Sequence, residues 1–424
     1  MHKEKFLRVF HLALSIMILI LVITTSAWYP TDSSNMIRQF TRPFEFDYIG
    51  WEFAAGWKKI SLFSLGQTHY LNNFQQRIII DNYFKLLNSS NELQRRITEI
   101  YSDPQISSPE KEALRFENEL DKVAHLLKLQ QHIAESVLQY QIGQTLKTLG
   151  LTDIGTPFPP ILFHTTKLPK QLIISPRDVI IQELSVSLSS EITLNEIIKL
   201  EKDVEENQNY SALVVPVGGV STYPTMVINT TNLKNLIETV AHEWTHNYLS
   251  LRPLGIRYAS SPELRTINET TASIAGSEIS QAVIETYYPD LIEITPTLPK
   301  TIQISSSIKK PIQQHGFNFS KEMYLTRIEV DDLLAEGKIE EAEQFMESQR
   351  LYFWKNGYQI RKLNQAYFAF HGAYADEPFS AAGKDPVGDD VRLFRERQTS
   401  LASFIRKISW IYSYSQLRVA ARAF

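Results

Sequence analysis

The N-terminus contains an apolar run whose terminal position behind a basic cluster favours a membrane span or a signal peptide over a buried core helix. Val9–Trp28 is predominantly apolar and contains no Asp, Glu, Lys or Arg, and Lys3, Lys5 and Arg8 precede it. About 20 apolar residues suffice to cross a bilayer as a helix. A basic N-terminal flank favours a cytoplasmic N-terminus. The sequence therefore predicts a single-pass transmembrane anchor within residues 1–28 and an extracytoplasmic body.

A cleaved signal peptide is the alternative for this segment. Thr25–Ala27 reads "TSA", which resembles the small-residue site at which signal peptides are cut. Cleavage there would release a secreted protein rather than a membrane protein. Both alternatives place the body of the chain outside the cytoplasm.

Composition excludes several kinds of chemistry. The 424 residues include no cysteine, so disulfides, iron–sulfur clusters, thiolate zinc ligands and cysteine nucleophiles are excluded. The net charge is −4, and no basic run interleaved with aromatic residues suggests nucleic-acid binding. Any metal site must therefore use His, Asp and Glu.

Residues 29–165 read as a juxtamembrane segment followed by a helical arm. Apolar residues at three- and four-residue spacing predict a helix over "NNFQQRIIIDNYFKLL". Ser108 as N-cap and Pro109 as the first helical residue predict the start of a second helix, which Gly150 ends. The sequence predicts a helical hairpin outside the catalytic core, with a possible protein partner on this arm.

Residues 166–290 have a mixed pattern of predicted strands and helices. The runs "QLIIS", "DVIIQELSVSLS", "ALVVPVGG" and "PTMVIN" predict strands, with a helix over "TLNEIIKLEKDVEEN" between the second and third. Residues 291–424 return to helical patterns, over "SKEMYLTRIEVDDLLAEG", "IEEAEQFMESQRLYFWKNG" and "IRKLNQAYFAF". The predicted fold class is thus α+β and mainly helical.

The stretch "NLIETVAHEWTHNYLSLRPLG" carries the chemistry. Positions four apart lie on one face of a helix, so His242 and His246 can direct both imidazoles at one ion. Glu243 follows the first histidine and projects beside that ion. This H-E-x-x-H arrangement supplies two zinc ligands and a general base. Thr231 or Asn232 is predicted to start the helix.

A catalytic zinc ion needs a third protein ligand and one open position. Glu269 lies 23 positions after His246 on the next predicted helix, which starts at Ser261 and Pro262. Its surroundings are small, so that helix can approach the histidine pair closely. The small residues are Thr270, Thr271, Ala272, Ser273, Ala275 and Gly276.

With these residues the sequence resembles the gluzincin (thermolysin-like) zinc metallopeptidases. "HEWTH" followed by "NETTA" (Asn268–Ala272) is similar to their H-E-x-x-H and N-E-x-x-A elements, and strands precede the metal helix as in that group. The resemblance covers roughly residues 171–281. It implies Zn²⁺ as cofactor, with His242, His246 and Glu269 as its ligands.

One position departs from the family. Where many members carry an Asp that orients a ligand histidine, this chain has Ser273, so a backbone carbonyl or Asn268 is expected to take that role. Glu263 and Glu278 are the fallback third ligands.

Substrate contacts are predicted from two further segments. In the gluzincins that the chain resembles, a comparable edge strand pairs with the substrate backbone. The resemblance thus implies Gly218, Gly219 and Tyr223 as the candidate substrate-binding residues. A plain hairpin turn is the alternative. His371 and Tyr374 are the candidate donors to the oxyanion that develops on the attacked carbonyl.

The sequence thus predicts a membrane-anchored metallopeptidase that hydrolyses peptide or protein substrates with a zinc-activated water and Glu243 as general base. The alternatives are a membrane-tethered interaction protein with a structural or silent zinc site, and a metal-free receptor or assembly factor. His315 is a weaker candidate donor. The other histidines read as incidental: His69, His125, His132 and His164.

Overall fold

A computed structural model describes residues 33–52, 55, 71–102, 106, 108–152, 155–291, 317–372 and 386–422. The described chain is mainly helical with two small sheets, which confirms the predicted α+β, mainly helical class. The predicted anchor, His69, His315 and Tyr374 lie outside these residues. Within the described ranges, no helix combines the length and the apolar character that crossing a bilayer requires.

The elements follow the order that the sequence predicts, with strands around one helix before the two helices of the metal motif. The helices are α1 (Ser33–Thr41), α2 (Asn73–Ser102), α3 (Pro109–Thr148), α4 (Leu194–Gln208), α5 (Leu233–Leu249), α6 (Pro253–Ile256), α7 (Pro262–Tyr287), α8 (Phe319–Ala335), α9 (Ile339–Lys355), α10 (Gln365–His371), α11 (Pro386–Glu396), α12 (Leu401–Ile408) and α13 (Tyr414–Arg422). The strands are β1 (Phe163–Thr165), β2 (Lys170–Pro176), β3 (Leu184–Leu188), β4 (Tyr210–Pro216), β5 (Gly219–Val220) and β6 (Thr225–Val227). Short 3₁₀ turns cover Arg42–Phe44 and Pro289–Leu291.

The helical arm is an antiparallel pair, α2 and α3. Ser108 is the N-cap of α3 and Pro109 its first residue, and Gly150 follows the helix with φ of 78°, as predicted from the sequence. Val137 and Ile142 are fully buried in a hydrophobic cluster that the arm shares with α5, α7 and the last three helices. The C-terminal half of α3 therefore packs into the same core as the metal-motif helices.

The first sheet, in the order β3-β2-β4, is antiparallel and covered on both faces. Leu172 and Ile174 pack with α4 and α1 on one face, whereas Ile173 and Leu213 pack with α8, α9 and α10 on the other. A strand buried on both sides reads as a continuous apolar run rather than an alternating one. This explains why the "LII" of "QLIIS" has no polar residue in it.

Strand β3 is shorter than the predicted run over "DVIIQELSVSLS". The Ser175 hydroxyl donates to the Val179 carbonyl at 3.1 Å and accepts from the Ile181 N–H at 3.3 Å. Side-chain bonds of this kind compete with a strand ladder. The chain therefore turns after β2, and pairing resumes only at Leu184–Leu188.

Helix α10 begins later than the pattern "IRKLNQAYFAF" predicts. The Asn364 side chain caps the helix by accepting from the Tyr367 N–H at 2.9 Å. Arg361 instead forms an ion pair with the buried Glu201, donating two hydrogen bonds to its carboxylate at 2.6 and 2.8 Å. The predicted first turn is therefore an extended connection that ties α10 to α4 and β4.

The second sheet, β1-β6-β5, lies directly before the metal helix. Strand β1 was not predicted from the sequence; it pairs in parallel with β6, and β5 pairs with β6 in antiparallel fashion. Strand β5 is thus an edge strand. The loop from β6 then leads within a few residues into α5.

Gly276 permits the close contact between α5 and α7. A Cβ added there would lie 2.9 Å from the Glu238 carbonyl oxygen and 3.2 Å from the His242 Cβ. The first separation is shorter than real Cβ contacts, and the atom it meets is rigid helix backbone. The small residues predicted to bring the two helices together do so at this point.

We expect Gly276→Ala to lower the free energy of unfolding by about 1–3 kcal/mol, because the added methyl forces the two helices apart. Urea denaturation of the purified chain measures this. Gly143→Ala in α3 is the matched control, since nothing lies within 4 Å of its added Cβ. There the removal of a helical glycine should stabilise by up to about 1 kcal/mol. Equal effects of the two substitutions would contradict the close-packing account.

Candidate metal centre

Helix α5 presents both histidines of the motif on one face. Its N-cap is Asn232, whose side-chain oxygen accepts from the Asn235 N–H at 3.0 Å. Asn232 is one of the two residues predicted to start the helix. His242 and His246 then lie one turn apart, with their Nε2 atoms 3.0 Å from each other. Two imidazole nitrogens this close leave room for a shared cation or proton between them.

Helix α7 brings Glu269 to the same point. Ser261 caps this helix and Pro262 is its first residue, as predicted. The Glu269 Oε2 lies 3.5 Å from the Nε2 of His242 and 3.3 Å from that of His246. Zinc bonds of about 2.0–2.1 Å place tetrahedral ligand atoms about 3.3 Å apart. The three separations of 3.0, 3.3 and 3.5 Å therefore have the size of a zinc coordination shell.

The Glu269 carboxylate is buried in a way that calls for a cation. Its side chain is only 3% exposed, and across the described residues no donor makes a hydrogen bond to Oε2. A buried carboxylate oxygen that accepts no hydrogen bond is costly unless a nearby positive charge compensates it. His242 and His246 are 18% and 14% exposed, so the point where the ligands meet borders solvent.

Charge couples the ligands strongly. Burial by itself raises the pKa of Glu269, but His246 and His242 outweigh it and hold that pKa well below its usual range. Burial lowers the pKa of His246, and the Glu269 carboxylate outweighs this and raises it to about 9. The site is thus built around an ionised carboxylate facing a positive charge.

Asn268 fixes the orientation of one ligand. Its Oδ1 lies 2.7 Å from the Nδ1 of His246, and its amide nitrogen is 3.4 Å from the Leu254 carbonyl oxygen. An acceptor at Nδ1 keeps the proton there and turns the Nε2 lone pair towards the other ligands. Asn268 therefore occupies the role that the sequence left open between it and a backbone carbonyl.

A second set of contacts holds Glu269. The Tyr258 hydroxyl donates to its Oε1, and the Arg265 Nε in turn donates to the Tyr258 oxygen at 3.2 Å. Arg265 also donates to the Ala369 carbonyl at 2.8 Å, which ties α7 to α10. With Oε1 held, Oε2 is the oxygen turned towards the histidines.

Glu243 is placed between α5 and the edge strand β5. The Ser221 hydroxyl donates to its Oε2 in a short hydrogen bond. A Cβ added at Gly219 would lie 2.7 Å from the Glu243 Cγ, so only glycine fits against this side chain. The carboxylate is 7% exposed. Gly219 and Ser221 thus fix the predicted general base beside the metal ligands.

The remaining predicted residues lie at different distances from this centre. Gly218 is exposed with nothing near an added Cβ, and the exposed Tyr223 donates from its hydroxyl to the Pro160 carbonyl at 3.2 Å. His371 ends α10, with its ring tilted 50° against that of Tyr367 and the ring centroids 4.4 Å apart. Burial, helped by Arg265, lowers the pKa of His371 to about 4, so the ring is neutral near pH 7. Tyr374 falls outside the described residues.

The two fallback ligands have other surroundings. Glu278 forms a two-bond ion pair with Arg395 at 2.7 and 2.8 Å. Glu263 is an exposed residue in the first turn of α7, where a negative charge favours the helix dipole. In the described part of the chain, the cluster around the histidine pair consists of His242, His246 and Glu269.

Three residues of this centre were missed by sequence reasoning: Ser221, Tyr258 and Arg265. Ser221 directly follows β5, so a hydroxyl within the segment already assigned to substrate contact was the available signal. Tyr258 has no spacing that links it to Glu269, and it meets that carboxylate through the turn between α6 and α7. Arg265 lies four positions before Glu269 on α7, and this one-turn spacing was the available signal.

Comparisons of the chain with protein-family models, with curated proteins and with solved structures gave no match.

Proposed function

We propose that this chain is a zinc-dependent metallopeptidase of gluzincin-like design that hydrolyses peptide bonds. The observation that carries the proposal is the convergence of two imidazole nitrogens and one buried carboxylate oxygen within 3.5 Å of one another. A general-base candidate stands next to the first histidine, as the motif requires. The resemblance in "HEWTH" and "NETTA" agrees with this arrangement.

The donor set fits zinc better than the common alternatives. Two imidazoles suit zinc, copper, iron or nickel, whereas magnesium and calcium favour oxygen ligands. Three protein ligands bordering solvent leave a position for water, which is the pattern of catalytic rather than structural zinc. Zinc bound there would polarise a carbonyl and make a water molecule more acidic.

Glu243 is the general base in the proposed reaction. Its carboxylate accepts the proton of the attacking water and passes it to the leaving amine. The Ser221 hydroxyl holds one carboxylate oxygen, which leaves the other to move the proton. Asn268 and Tyr258 keep His246 and Glu269 in place during this step.

A peptide is the substrate class that the surroundings favour. Strand β5 is an edge strand, and its Gly219 touches the general base. An extended peptide that adds to this edge by main-chain hydrogen bonds would run past Glu243. Gly218, exposed at the start of the strand, leaves room for that approach. His371 and Tyr374 stay the candidate oxyanion donors.

Metal removal tests the proposal. We expect the purified full chain to cleave members of a fluorogenic peptide library, to lose that activity when a chelator strips the metal, and to regain it with added Zn²⁺. Magnesium should restore nothing, since it prefers oxygen ligands. A zinc-loaded chain that cleaves no peptide in a broad library would overturn the peptidase assignment.

An interaction protein is the second candidate. The arm exposes large apolar side chains, with Phe74 73%, Leu129 63% and Leu114 55% accessible. Phe74 lies on α2 and the two leucines on α3, and exposed apolar side chains that form a continuous patch mark protein contacts. In that case the metal centre would be structural or silent, and the chelated chain would bind its partner as well as the loaded one. The single-pass anchor and extracytoplasmic location stay proposals that rest on residues 1–28.

A further inference from the structure

A second group of potential metal ligands lies at the foot of the helical arm. His132 and Glu135 are three positions apart on α3, and His164 comes from the middle of β1. One donor atom of each lies within 4.8 Å of the other two. Both histidines read as incidental in the sequence, because no spacing along the chain links His164 to the residues of α3.

The distances between His164 and Glu135 resemble those of the first centre. The Nδ1 of His164 lies 3.1 and 3.2 Å from the two carboxylate oxygens of Glu135. The imidazole rings of His132 and His164 are nearly parallel, at 7° and 6.0 Å between centroids. The separations of His164 from Glu135 match the ligand spacing of about 3.3 Å around tetrahedral zinc. The half-buried His132 has a ring nitrogen within 4.8 Å of both of the other donor atoms.

The Glu135 carboxylate is oriented as metal-binding carboxylates are. It is 2% exposed, and its Oε1 accepts from the Thr165 N–H and hydroxyl, both at 2.8 Å, and from the Gln131 amide at 2.9 Å. Bonds from neighbouring donors are what fixes a ligating carboxylate. These donors hold the carboxylate facing the His164 ring, 3.1 Å from its Nδ1.

We propose that His132, Glu135 and His164 form a second binding site for a divalent metal of the zinc class. Two imidazoles and one carboxylate favour such an ion over magnesium or calcium. The site joins α3 to β1, and β1 pairs with β6, the strand that precedes α5. An ion there cross-links the arm to the sheet beside the first centre, which is a stabilising role. The proposal is independent of the peptidase assignment.

Zinc stoichiometry of the full chain tests this site. We expect the wild-type chain, stripped and then titrated with Zn²⁺ against a chromophoric chelator, to bind two ions. The double variant His242→Asn/His246→Asn should bind one. Adding His132→Asn and His164→Asn to it should reduce binding to near zero. Added Zn²⁺ should also raise the melting temperature of the double variant and leave the quadruple variant unchanged.

His125→Asn, an exposed histidine on the same helix, is the matched control and should leave both ions bound. A wild-type chain that binds a single ion, and still binds it after His132→Asn and His164→Asn, would overturn the second site. So would a folded double variant that binds no zinc, or one that still binds an ion after His132 and His164 are replaced. In those cases Glu135 and His164 form a metal-free ion pair.

Discussion

Replacing Glu243 by Gln is expected to slow peptide hydrolysis at least about a hundredfold while zinc stays bound. Glutamine has nearly the same shape, so it fits against Gly219 and still accepts from Ser221. It cannot take up the proton of water. The loss should therefore fall on kcat, because the general base acts in the chemical step rather than in binding. Activity on a fluorogenic peptide and zinc content by elemental analysis measure the two effects.

The control for this variant is Glu263→Gln. Glu263 is an exposed carboxylate in the first turn of α7, away from the ligand cluster. The Glu263→Gln variant should retain both full activity and bound zinc. Undiminished hydrolysis by Glu243→Gln would exclude Glu243 as the base, and a loss of zinc together with activity would assign it a structural role instead.

Replacing Glu269 by Gln should weaken zinc binding at the first centre at least about a hundredfold, beyond what loss of an orienting partner costs. The amide keeps an oxygen for the Tyr258 hydroxyl, so the fold is preserved. It removes the negative charge that faces His242 and His246 at 3.5 and 3.3 Å. Competition with a chelator of known affinity measures the change.

The variant Glu278→Gln tests whether Glu278 rather than Glu269 is the third zinc ligand. Glu278 lies nine positions after Glu269 on the same helix and is paired with Arg395. Replacing Glu278 should therefore leave zinc affinity unchanged. If Glu278→Gln releases the ion and Glu269→Gln keeps it, the ligand assignment is wrong. These measurements need no substrate, so they separate the metal centre from the peptidase proposal.

Local signals in the sequence predicted the framework of the centre well. Asn232, Ser261 and Pro262 are residues that begin helices, and the structure starts α5 and α7 with them. A four-residue spacing puts His242 and His246 on one face whatever surrounds the helix. Small residues around Glu269 indicated a close neighbour, and Gly276 is where that contact is tightest.

Prediction was weaker where a segment's conformation depends on a distant partner. Arg361 reads as part of a helix, but the buried Glu201, 160 positions away, holds it in an extended connection. The short strand β1 has too few residues for a pattern, and it exists because β6 lies beside it. In both places tertiary contacts outweigh local preference.

By itself the sequence determined which side chains could share one helix face, where the helices begin and which chemistry the absence of cysteine excludes. These follow from bonds between near neighbours and from residue types. The tertiary structure alone decided that Ser221 would hold Glu243, that Tyr258 would hold Glu269, and that His164 would meet His132 and Glu135. Such contacts join side chains whose separation along the chain carries no period, so only the packing of whole elements brings them together.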